Sequence, residues 1–221
     1  MSARVVAVVL ARLGSTRFPG KVLADLDGKS LLMHVVGAAR AAQSINAVVL
    51  ATSNDEHDDP LATAAEEEGV AVYRGSESDV LARFAGAAME QHADHAVRLT
   101  VDNPLVTANM VDRVVARHVQ TGADYSCNFL PPTFPDGLEV EVVSQPTLVR
   151  LLECATTTEE REHVTWYIRT HEDEFHMENV VLSGQLVPGW EQVSLSVDTP
   201  DDLQRVGGAY ATWRRVLAAI D

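Results

Sequence analysis

Short apolar runs rich in β-branched residues alternate along this chain with segments of helical periodicity. Residues 5–10, 47–52 and 95–100 are runs of this kind. An apolar run without regular polar alternation is typical of a strand that is buried on both faces. The repeated order of strand, helix and strand predicts an α/β fold, in which helices flank a mainly parallel, mixed central sheet.

The second half of the chain is less regular. Residues 138–143 alternate apolar and acidic side chains, which predicts a half-exposed strand with Glu139 and Glu141 on the same face. Beyond it we expect two helices, then two strands, and then a last helix that Thr199 caps. These segments are residues 147–154, 159–170, 180–182 and 193–197, followed by the helix from residue 200 onward.

The length of 221 residues fits one α/β domain spanning residues 1–221. No apolar run approaches the roughly 20 residues that a membrane helix needs, and the start of the chain does not resemble a signal peptide. Cys127 and Cys154 are too few for a disulfide framework and too far apart for a Cys-x-x-Cys motif, so we expect free thiols. These features predict a soluble cytoplasmic protein with no membrane partner.

The net charge of −15 weighs against nucleic acid as a partner, because the phosphates would be repelled overall. The cations are nevertheless concentrated near the amino terminus, and Lys21 and Lys29 are the only lysines in the sequence. A solvated acidic surface accounts for the net charge. The clustering of cations calls for a separate explanation.

A basic loop at residues 11–21 follows the first predicted strand directly. In open α/β sheets, ligands bind beyond the carboxyl ends of the strands. The loop combines two glycines with Arg12, Arg17 and Lys21, so its backbone N–H groups and its cations favour phosphate binding. It matches neither a Walker A loop nor a dinucleotide fingerprint, which weighs against an ATPase or a dehydrogenase. A solvated loop with ordinary surface cations is the alternative interpretation.

Two aspartates, Asp102 and Asp198, also stand where a predicted strand gives way to a helix. Mg²⁺ binds carboxylate and phosphate oxygens together and usually takes only one or two protein carboxylates. Either aspartate alone is as well explained by a role in a turn or a helix cap. Their shared position beside a candidate phosphate loop favours a metal site.

The loop at residues 11–21 resembles the signature of the CMP-Kdo synthetase and acylneuraminate cytidylyltransferase superfamily. Other segments resemble one branch of it, the spore-coat polysaccharide biosynthesis protein F-type cytidylyltransferases. They occur in the family's order and span nearly the whole chain. These segments are residues 74–83, 98–105, 133–141, 161–165 and 197–203.

The resemblance implies a Rossmann-like nucleotide-diphospho-sugar transferase fold. It implies a CTP-dependent nucleotidyltransferase that joins CMP to a sugar acid or a related acidic acceptor, with Mg²⁺ as cofactor and release of pyrophosphate. It also implies a role in nucleotide-sugar and polysaccharide biosynthesis, and a homodimer.

The resemblance and the local chemistry together give a set of candidate site residues. Catalysis is expected from Lys21, Arg12 and Asp102, and metal binding from Asp102 and Asp198. The expected nucleotide-binding residues are Ala11, Arg12, Gly14, Ser15, Arg17, Lys21, Thr52, Gly75, Ser76 and Asp79.

The acceptor site is expected to use carboxylates for sugar hydroxyls, a cation, and a histidine as proton acceptor. The alternatives are an exposed strand face for the two glutamates, and a surface or packed position for the histidine. The expected acceptor-binding residues are Asp136, Glu139, Glu141, Arg161 and His163.

Four positions depart from the family pattern. Val101 and Asn103 flank Asp102 where glycine and cysteine are expected, while Pro132 and Trp166 stand in place of arginine and proline. These changes cluster on the presumed acceptor side and leave the acceptor open. The remaining alternatives are another nucleotide such as GTP, a phosphate or phosphonate acceptor, and a nucleotide-binding module without catalysis.

Overall fold

In the computed structural model, which describes residues 3–181 and 193–220, helices cover both faces of a seven-stranded mixed sheet. A two-stranded hairpin, β2 and β3, lies apart from this sheet. The strands are β1 (Val5–Leu10), β2 (Asp25–Leu26), β3 (Lys29–Ser30), β4 (Ala47–Ser53), β5 (Ala71–Gly75), β6 (His95–Thr100), β7 (Tyr125–Cys127), β8 (Glu141–Ser144) and β9 (Met177–Asn179). The α-helices are α1 (Leu31–Ala41), α2 (Asp59–Glu67), α3 (Val80–Glu90), α4 (Ala108–Thr121), α5 (Gln145–Cys154), α6 (Thr158–Glu162), α7 (Trp166–Thr170) and α8 (Pro200–Ile220).

The strand order in the large sheet is β5-β4-β1-β6-β8-β7-β9. All neighbouring pairs are parallel except the two that involve β8, which runs antiparallel to both β6 and β7. The predicted α/β class with a mainly parallel, mixed sheet is therefore confirmed.

Strand β1 lies at the centre of two hydrophobic cores. All six of its residues are buried, and successive side chains point to opposite faces of the sheet. Ala7 and Val9 pack in the core that includes α1 and α4, whereas Val6 and Val8 pack in the core that includes α3 and α5. This two-sided burial explains why the sequence of β1 shows no polar alternation.

The predicted half-exposed strand at residues 138–143 is wrong in both extent and exposure. Strand β8 begins only at Glu141, and all four of its residues are buried. The strand lies between β6 and β7, with α4 and α5 packed against it, so it has no solvent-facing side. Glu141 is accommodated there because its carboxylate forms an ion pair with Arg98.

Three further expectations need correction. The helix expected at residues 159–170 is divided into α6 and α7, and residues 163–165 separate them. Strand β9 lies just before the strand expected at 180–182, of which residue 182 is outside the described part of the chain. Residues 193–197 form only an isolated bridge, between Ser194 and Asp136.

Both cysteines are free, as predicted, and Cys127 is buried. Within the described ranges, no helix has the length and apolar character needed to cross a membrane.

Candidate functional site

The basic loop leaves the sheet at the edge where β1, β4 and β6 all end. Leu10 is in register with Thr100 of β6 and with Ala51 of β4, so residues 11 and 101 begin their loops side by side. Gly20 adopts the left-handed conformation, with φ at 71°, and its N–H donates to Leu13 O at 3.1 Å. The small size of glycine thus allows the loop to fold back on itself just before Lys21.

The buried carboxylate of Asp58 fastens this loop to the end of β4. It accepts a hydrogen bond from Leu13 N at 2.7 Å, and it also accepts from the backbone and side chain of Ser53. Burial favours the neutral form of Asp58, but these hydrogen bonds outweigh it and lower the pKa of the carboxyl group. The loop is therefore held by an ionised side chain beneath it.

Lys21 links the loop to both candidate metal ligands. Its Nζ lies 2.8 Å from Asp198 Oδ1 and 3.7 Å from Asp102 Oδ2, and it donates to Val197 O at 3.0 Å. The N–H of Val197 donates in turn to Asp102 O at 2.8 Å. Arg17 approaches the same Asp198 oxygen at 3.0 Å. The cations and carboxylates that the sequence singled out therefore meet at this edge of the sheet.

A cavity of about 380 Å³, here called the loop cavity, opens beside these groups. At its rim Arg12 pairs with Glu77 at 3.1 Å, and both side chains are largely exposed, so this pairing is weak. The cavity is lined by Leu10, Ala11, Arg12, Gly14, Ser15, Thr16, Arg17, Lys21, Val22, Val80, Arg83, Arg98, Thr100, Val101, Asp102, Glu162, His163 and Asp198.

A second cavity of about 390 Å³, here called the acidic cavity, shares Arg98, Thr100 and Asp102 with the loop cavity. The end of β6 is thus a common wall between the two. The acidic cavity is lined by Arg98, Thr100, Asp102, Asn103, Phe129, Asp136, Glu139, Glu141, Arg169 and Ser196.

An ion pair between Arg98 and the buried carboxylate of Glu141 lines the acidic cavity. Glu141 Oε1 also accepts from Tyr125 Oη at 2.7 Å and from Thr165 Oγ1 at 2.6 Å. Burial opposes ionisation of Glu141, but Arg98 and the two hydroxyl groups outweigh burial and lower its pKa. This network fixes the Arg98 side chain where the two cavities meet.

Glu139 has a different electrostatic environment. Its carboxylate accepts from Asn103 Nδ2 at 2.7 Å and from Gly137 N at 3.0 Å. Burial raises the pKa of Glu139 to about 7, and the charge of Asp136 adds to the rise. Glu139 therefore exchanges a proton near neutral pH, where it can accept or donate a hydrogen bond.

The predicted nucleotide-binding residues divide into two groups. Ala11, Arg12, Gly14, Ser15, Arg17 and Lys21 line the loop cavity together with Asp102 and Asp198. Four others do not line either cavity: Thr52, Gly75, Ser76 and Asp79.

The four residues of the second group pack or form hydrogen bonds within their own part of the fold instead. Thr52 is fully buried in β4, and Gly75 packs against the side chain of Arg83. Ser76 Oγ accepts from Asp79 N at 3.0 Å, and Asp79 caps α3 by accepting from Ala82 N at 2.9 Å. Their part in nucleotide binding stays a prediction.

The predicted acceptor residues are also separated. Asp136, Glu139 and Glu141 line the acidic cavity, whereas His163 lines the loop cavity. Arg161 lines neither cavity, because it pairs with Asp79 at 3.3 Å and donates to two backbone carbonyl groups. The expected grouping of Arg161 and His163 with the three carboxylates is therefore not observed.

Sequence reasoning missed three arginines, Arg83, Arg98 and Arg169, each of which lines one or both cavities. Arg98 left a signal, since a single cation within an otherwise apolar strand is costly to bury without a partner. Arg83 ends the segment 74–83 that resembles the family, whereas Arg169 left no comparable signal.

Buried polar atoms without hydrogen-bond partners are concentrated around the two cavities. In the described ranges there are five such side-chain atoms, and four belong to cavity-lining residues. Such groups are uncommon in proteins because each carries a desolvation cost. The four atoms are Arg83 Nε, Arg98 Nε, Asp102 Oδ1 and Arg169 Nε.

The departure from the family pattern at Val101 has no conformational consequence. Among the described residues, only Asp27 and His92 have positive φ angles without being glycine, so Val101 does not need a backbone conformation reserved for glycine. Its side chain is buried in the core. The turn that carries Asp102 is therefore compatible with valine.

Comparison with known proteins identifies the family. The cytidylyltransferase family model matches residues 6–199. The chain is 31% identical over 211 residues to spore coat polysaccharide biosynthesis protein SpsF of Bacillus subtilis, covering 93% of this chain and 86% of that protein. It is 37% identical over 139 residues to a 3-deoxy-manno-octulosonate cytidylyltransferase of Anaeromyxobacter sp., covering 62% of this chain and 54% of the relative.

A solved structure has the same architecture. A cytidylyltransferase from Leptospira borgpetersenii superposes with a TM-score of 0.88 at 26% identity, covering 96% of this chain and 88% of that one. The fold and the family implied by the sequence motifs are thereby confirmed. The chain belongs to the cytidylyltransferase family and is a CTP-dependent nucleotidyltransferase.

Proposed function

We propose that this enzyme transfers CMP from CTP to a sugar acid or a related acidic acceptor in a Mg²⁺-dependent reaction. The triphosphate binds in the loop cavity and the acceptor binds in the acidic cavity. One observation carries this proposal: Arg98, Thr100 and Asp102 line both cavities, so two bound molecules would meet at the end of β6. The similarity to a 3-deoxy-manno-octulosonate cytidylyltransferase supports the acceptor class.

The loop cavity suits a triphosphate electrostatically. Arg12, Arg17 and Lys21 provide positive charge within a chain of net charge −15, and this local field offsets the overall repulsion of an anionic nucleotide. The weak, exposed pairing of Arg12 with Glu77 is readily exchanged for a phosphate group.

Asp102 and Asp198 fit a divalent cation that is shared with phosphate oxygens. Asp102 Oδ1 is buried and has no donor among the described residues. No cluster of three or more His, Cys, Asp or Glu side chains occurs in the described ranges, and Mg²⁺ usually needs only one or two carboxylates beside substrate phosphates. When bound, Mg²⁺ would neutralise phosphate charge and help to orient the leaving pyrophosphate.

The transfer exchanges one phosphorus–oxygen bond for another. An acceptor hydroxyl oxygen bonds to the α-phosphorus while its proton passes to solvent water, and the bond from that phosphorus to the oxygen shared with the β-phosphorus breaks, which releases pyrophosphate. Such a transfer depends mainly on positioning and on stabilisation of charge. Lys21 and the loop arginines hold the phosphates in this scheme, while Asp136 and Glu139 accept hydrogen bonds from acceptor hydroxyl groups.

Pyrophosphate release tests the proposal. CTP, UTP, ATP and GTP are each combined with 3-deoxy-manno-octulosonate, N-acetylneuraminate or a phosphonate polyol, with Mg²⁺ or with EDTA. The expected result is release that requires CTP, Mg²⁺ and an acidic acceptor. Release that persists in EDTA, or a failure of CTP to bind, would contradict the proposal. Activity with GTP would instead favour another nucleotide as the substrate. Activity with only the phosphonate would favour a phosphonate acceptor over a sugar acid.

A further inference from the structure

Arg169 differs from the other charged residues around the acidic cavity because its side chain forms no hydrogen bond or ion pair with any residue of the described ranges. Arg98 pairs with Glu141, Asp102 lies near Lys21, Glu139 accepts from Asn103, and Asp136 accepts from Ser194 at 2.6 Å. Arg169 takes part in no side-chain hydrogen bond or ion pair within the described ranges, and its Nε is buried.

Trp166 holds the guanidinium of Arg169 in place. The two residues are three positions apart on α7, and therefore lie on one face of that short helix. The centre of the Arg169 guanidinium lies 5.2 Å from the centroid of the Trp166 ring, within the range of a cation–π contact. A cation–π contact orients a guanidinium but satisfies none of its N–H donors. Trp166 thus positions Arg169 without occupying any of its N–H donors.

The chemistry of the cavity then defines its ligand. Asp136 and Glu139 supply acceptors for hydroxyl groups, and the guanidinium of Arg169 supplies paired donors that match a carboxylate or a phosphonate. Arg161, the cation expected here from the sequence, is instead engaged by Asp79 and by the carbonyl groups of Leu152 and Ala155. A ligand that carries both hydroxyl groups and an anionic oxygen group would satisfy the whole lining.

We propose that Arg169, positioned by Trp166, binds the anionic group of the acceptor and thereby selects acidic over neutral acceptors. This inference rests on the function proposed above, and it assigns recognition of the acceptor's negative charge to one residue. It also gives a role to Trp166, a position at which the family resemblance led us to expect proline. Proline has no aromatic ring, so the cation–π contact depends on the tryptophan.

The test compares acceptor kinetics with nucleotide binding. The variants are Arg169→Ala, Arg169→Lys, Trp166→Leu and Trp166→Phe, and the probes are 3-deoxy-manno-octulosonate, its uncharged amide, N-acetylneuraminate and a phosphonate polyol. Arg150→Ala is the matched control, since Arg150 also stacks on an aromatic ring (Phe175, at 4.3 Å) but does not line the acidic cavity. Thermal unfolding establishes that each variant folds, and calorimetry measures CTP binding separately.

The expected result is that Arg169→Ala raises KM for the acidic acceptor by about tenfold or more and changes kcat less, because a charge-assisted contact is lost. Arg169→Lys raises this KM by a smaller factor, because lysine keeps the positive charge. Trp166→Leu lowers the preference for the acid over its amide, and Trp166→Phe restores that preference in part. The acceptor KM of Arg150→Ala equals that of wild type, and all variants bind CTP with wild-type affinity. The carboxylate and phosphonate probes show which anionic group is preferred.

Three outcomes would overturn the inference. The first is equal KM values for wild type and Arg169→Ala, and the second is an amide that serves as well as the acid in the wild type. The third is binding of CTP without binding or turnover of any anionic probe. Loss of CTP binding in the wild type itself would instead contradict the proposed function, so the two failures are distinguishable.

Discussion

Lys21 Nζ lies 2.8 Å from Asp198 Oδ1, although 177 positions separate the two residues along the chain. The same ammonium group lies 3.7 Å from Asp102, and the lysine side chain is only 13% exposed. One cation between two carboxylates offsets their mutual repulsion. Lys21 therefore joins the basic loop, the end of β6 and the start of α8 into a single site.

Removing the charge of Lys21 is expected to impair catalysis strongly. Lys21→Ala should lower kcat/KM for CTP by about 100-fold or more, because a positioned donor to the phosphates is lost. Steady-state pyrophosphate release measures the effect. Lys29→Ala is the matched control, since Lys29 is the only other lysine and is exposed. Normal turnover by a folded Lys21→Ala variant would refute the role of this lysine.

Gly137 is expected to tolerate no side chain. Its φ is +95°, and an added Cβ would lie 2.3 Å from Ser196 N and 2.5 Å from the carbonyl carbon of Leu195. Gly137→Ala must therefore displace the segment that leads to Asp198. We expect the free energy of unfolding, measured in urea, to fall by about 2 kcal/mol or more, together with loss of activity.

Gly37→Ala serves as the control for this substitution. Gly37 lies in α1, and a Cβ there would meet nothing within 4 Å. The change should leave activity intact and raise stability by about 0.5–1 kcal/mol. A Gly137→Ala variant as stable and as active as Gly37→Ala would show that the 195–197 segment does not constrain the site.

The ion pair between Arg98 and Glu141, which lines the acidic cavity, is expected to matter for stability. Glu141→Gln leaves Arg98 without its counter-charge, which should cost about 3 kcal/mol of unfolding free energy. Arg117→Gln breaks a more exposed pair with Glu178 and should cost about 1 kcal/mol or less. Equal urea midpoints for the two variants would argue against the structural importance of the Arg98–Glu141 pair.

His118 is expected to make the protein sensitive to acid. Burial lowers the pKa of His118 to about 4, with the neighbouring His95 adding to the effect. In the unfolded chain the ordinary pKa is about 6.5, so the unfolded state binds more protons between these values. The contribution of His118 to the free energy of unfolding is therefore fully present above about pH 6.5. It decreases as the pH falls toward 4, by up to about 3 kcal/mol.

Comparison with a neutral variant isolates this contribution. Urea unfolding of wild type and His118→Gln is measured at pH 7 and at pH 4.5. The wild type should lose more stability on acidification than the variant does. Identical losses would mean that groups other than His118 account for the acid sensitivity.

Sequence patterns predicted the centre of the fold well, because β1 is buried on both faces and its composition reflects that burial directly. Patterns failed where tertiary contacts override local periodicity. Glu141 alternates with apolar residues like a surface glutamate, yet Arg98, which lies opposite it on the neighbouring strand β6 but 43 positions away in sequence, compensates for its burial. Periodicity carries no information about such a partner.

The sequence also predicted one part of the site but not the other. The loop cations and the two aspartates could be placed together because strand ends share one edge of a parallel sheet. The surroundings of Arg161 and Arg169 could not be assigned, since the sequence predicts one helix for residues 159–170, whereas the structure places Arg161 on α6 and Arg169 on α7. The break between α6 and α7 turns Arg161 toward Asp79 and leaves Arg169 on the acidic cavity.

In the proposed reaction, Lys21, Asp102 and Asp198 together hold a metal-bound triphosphate. Calorimetric titration with CTP, in Mg²⁺ and in EDTA, tests it most directly when wild type is compared with the Asp102→Asn, Asp198→Asn double variant. We expect Mg²⁺ to strengthen CTP binding to the wild type by about tenfold or more and to have little effect on the double variant. A CTP affinity that ignores both Mg²⁺ and the two substitutions would contradict the claim.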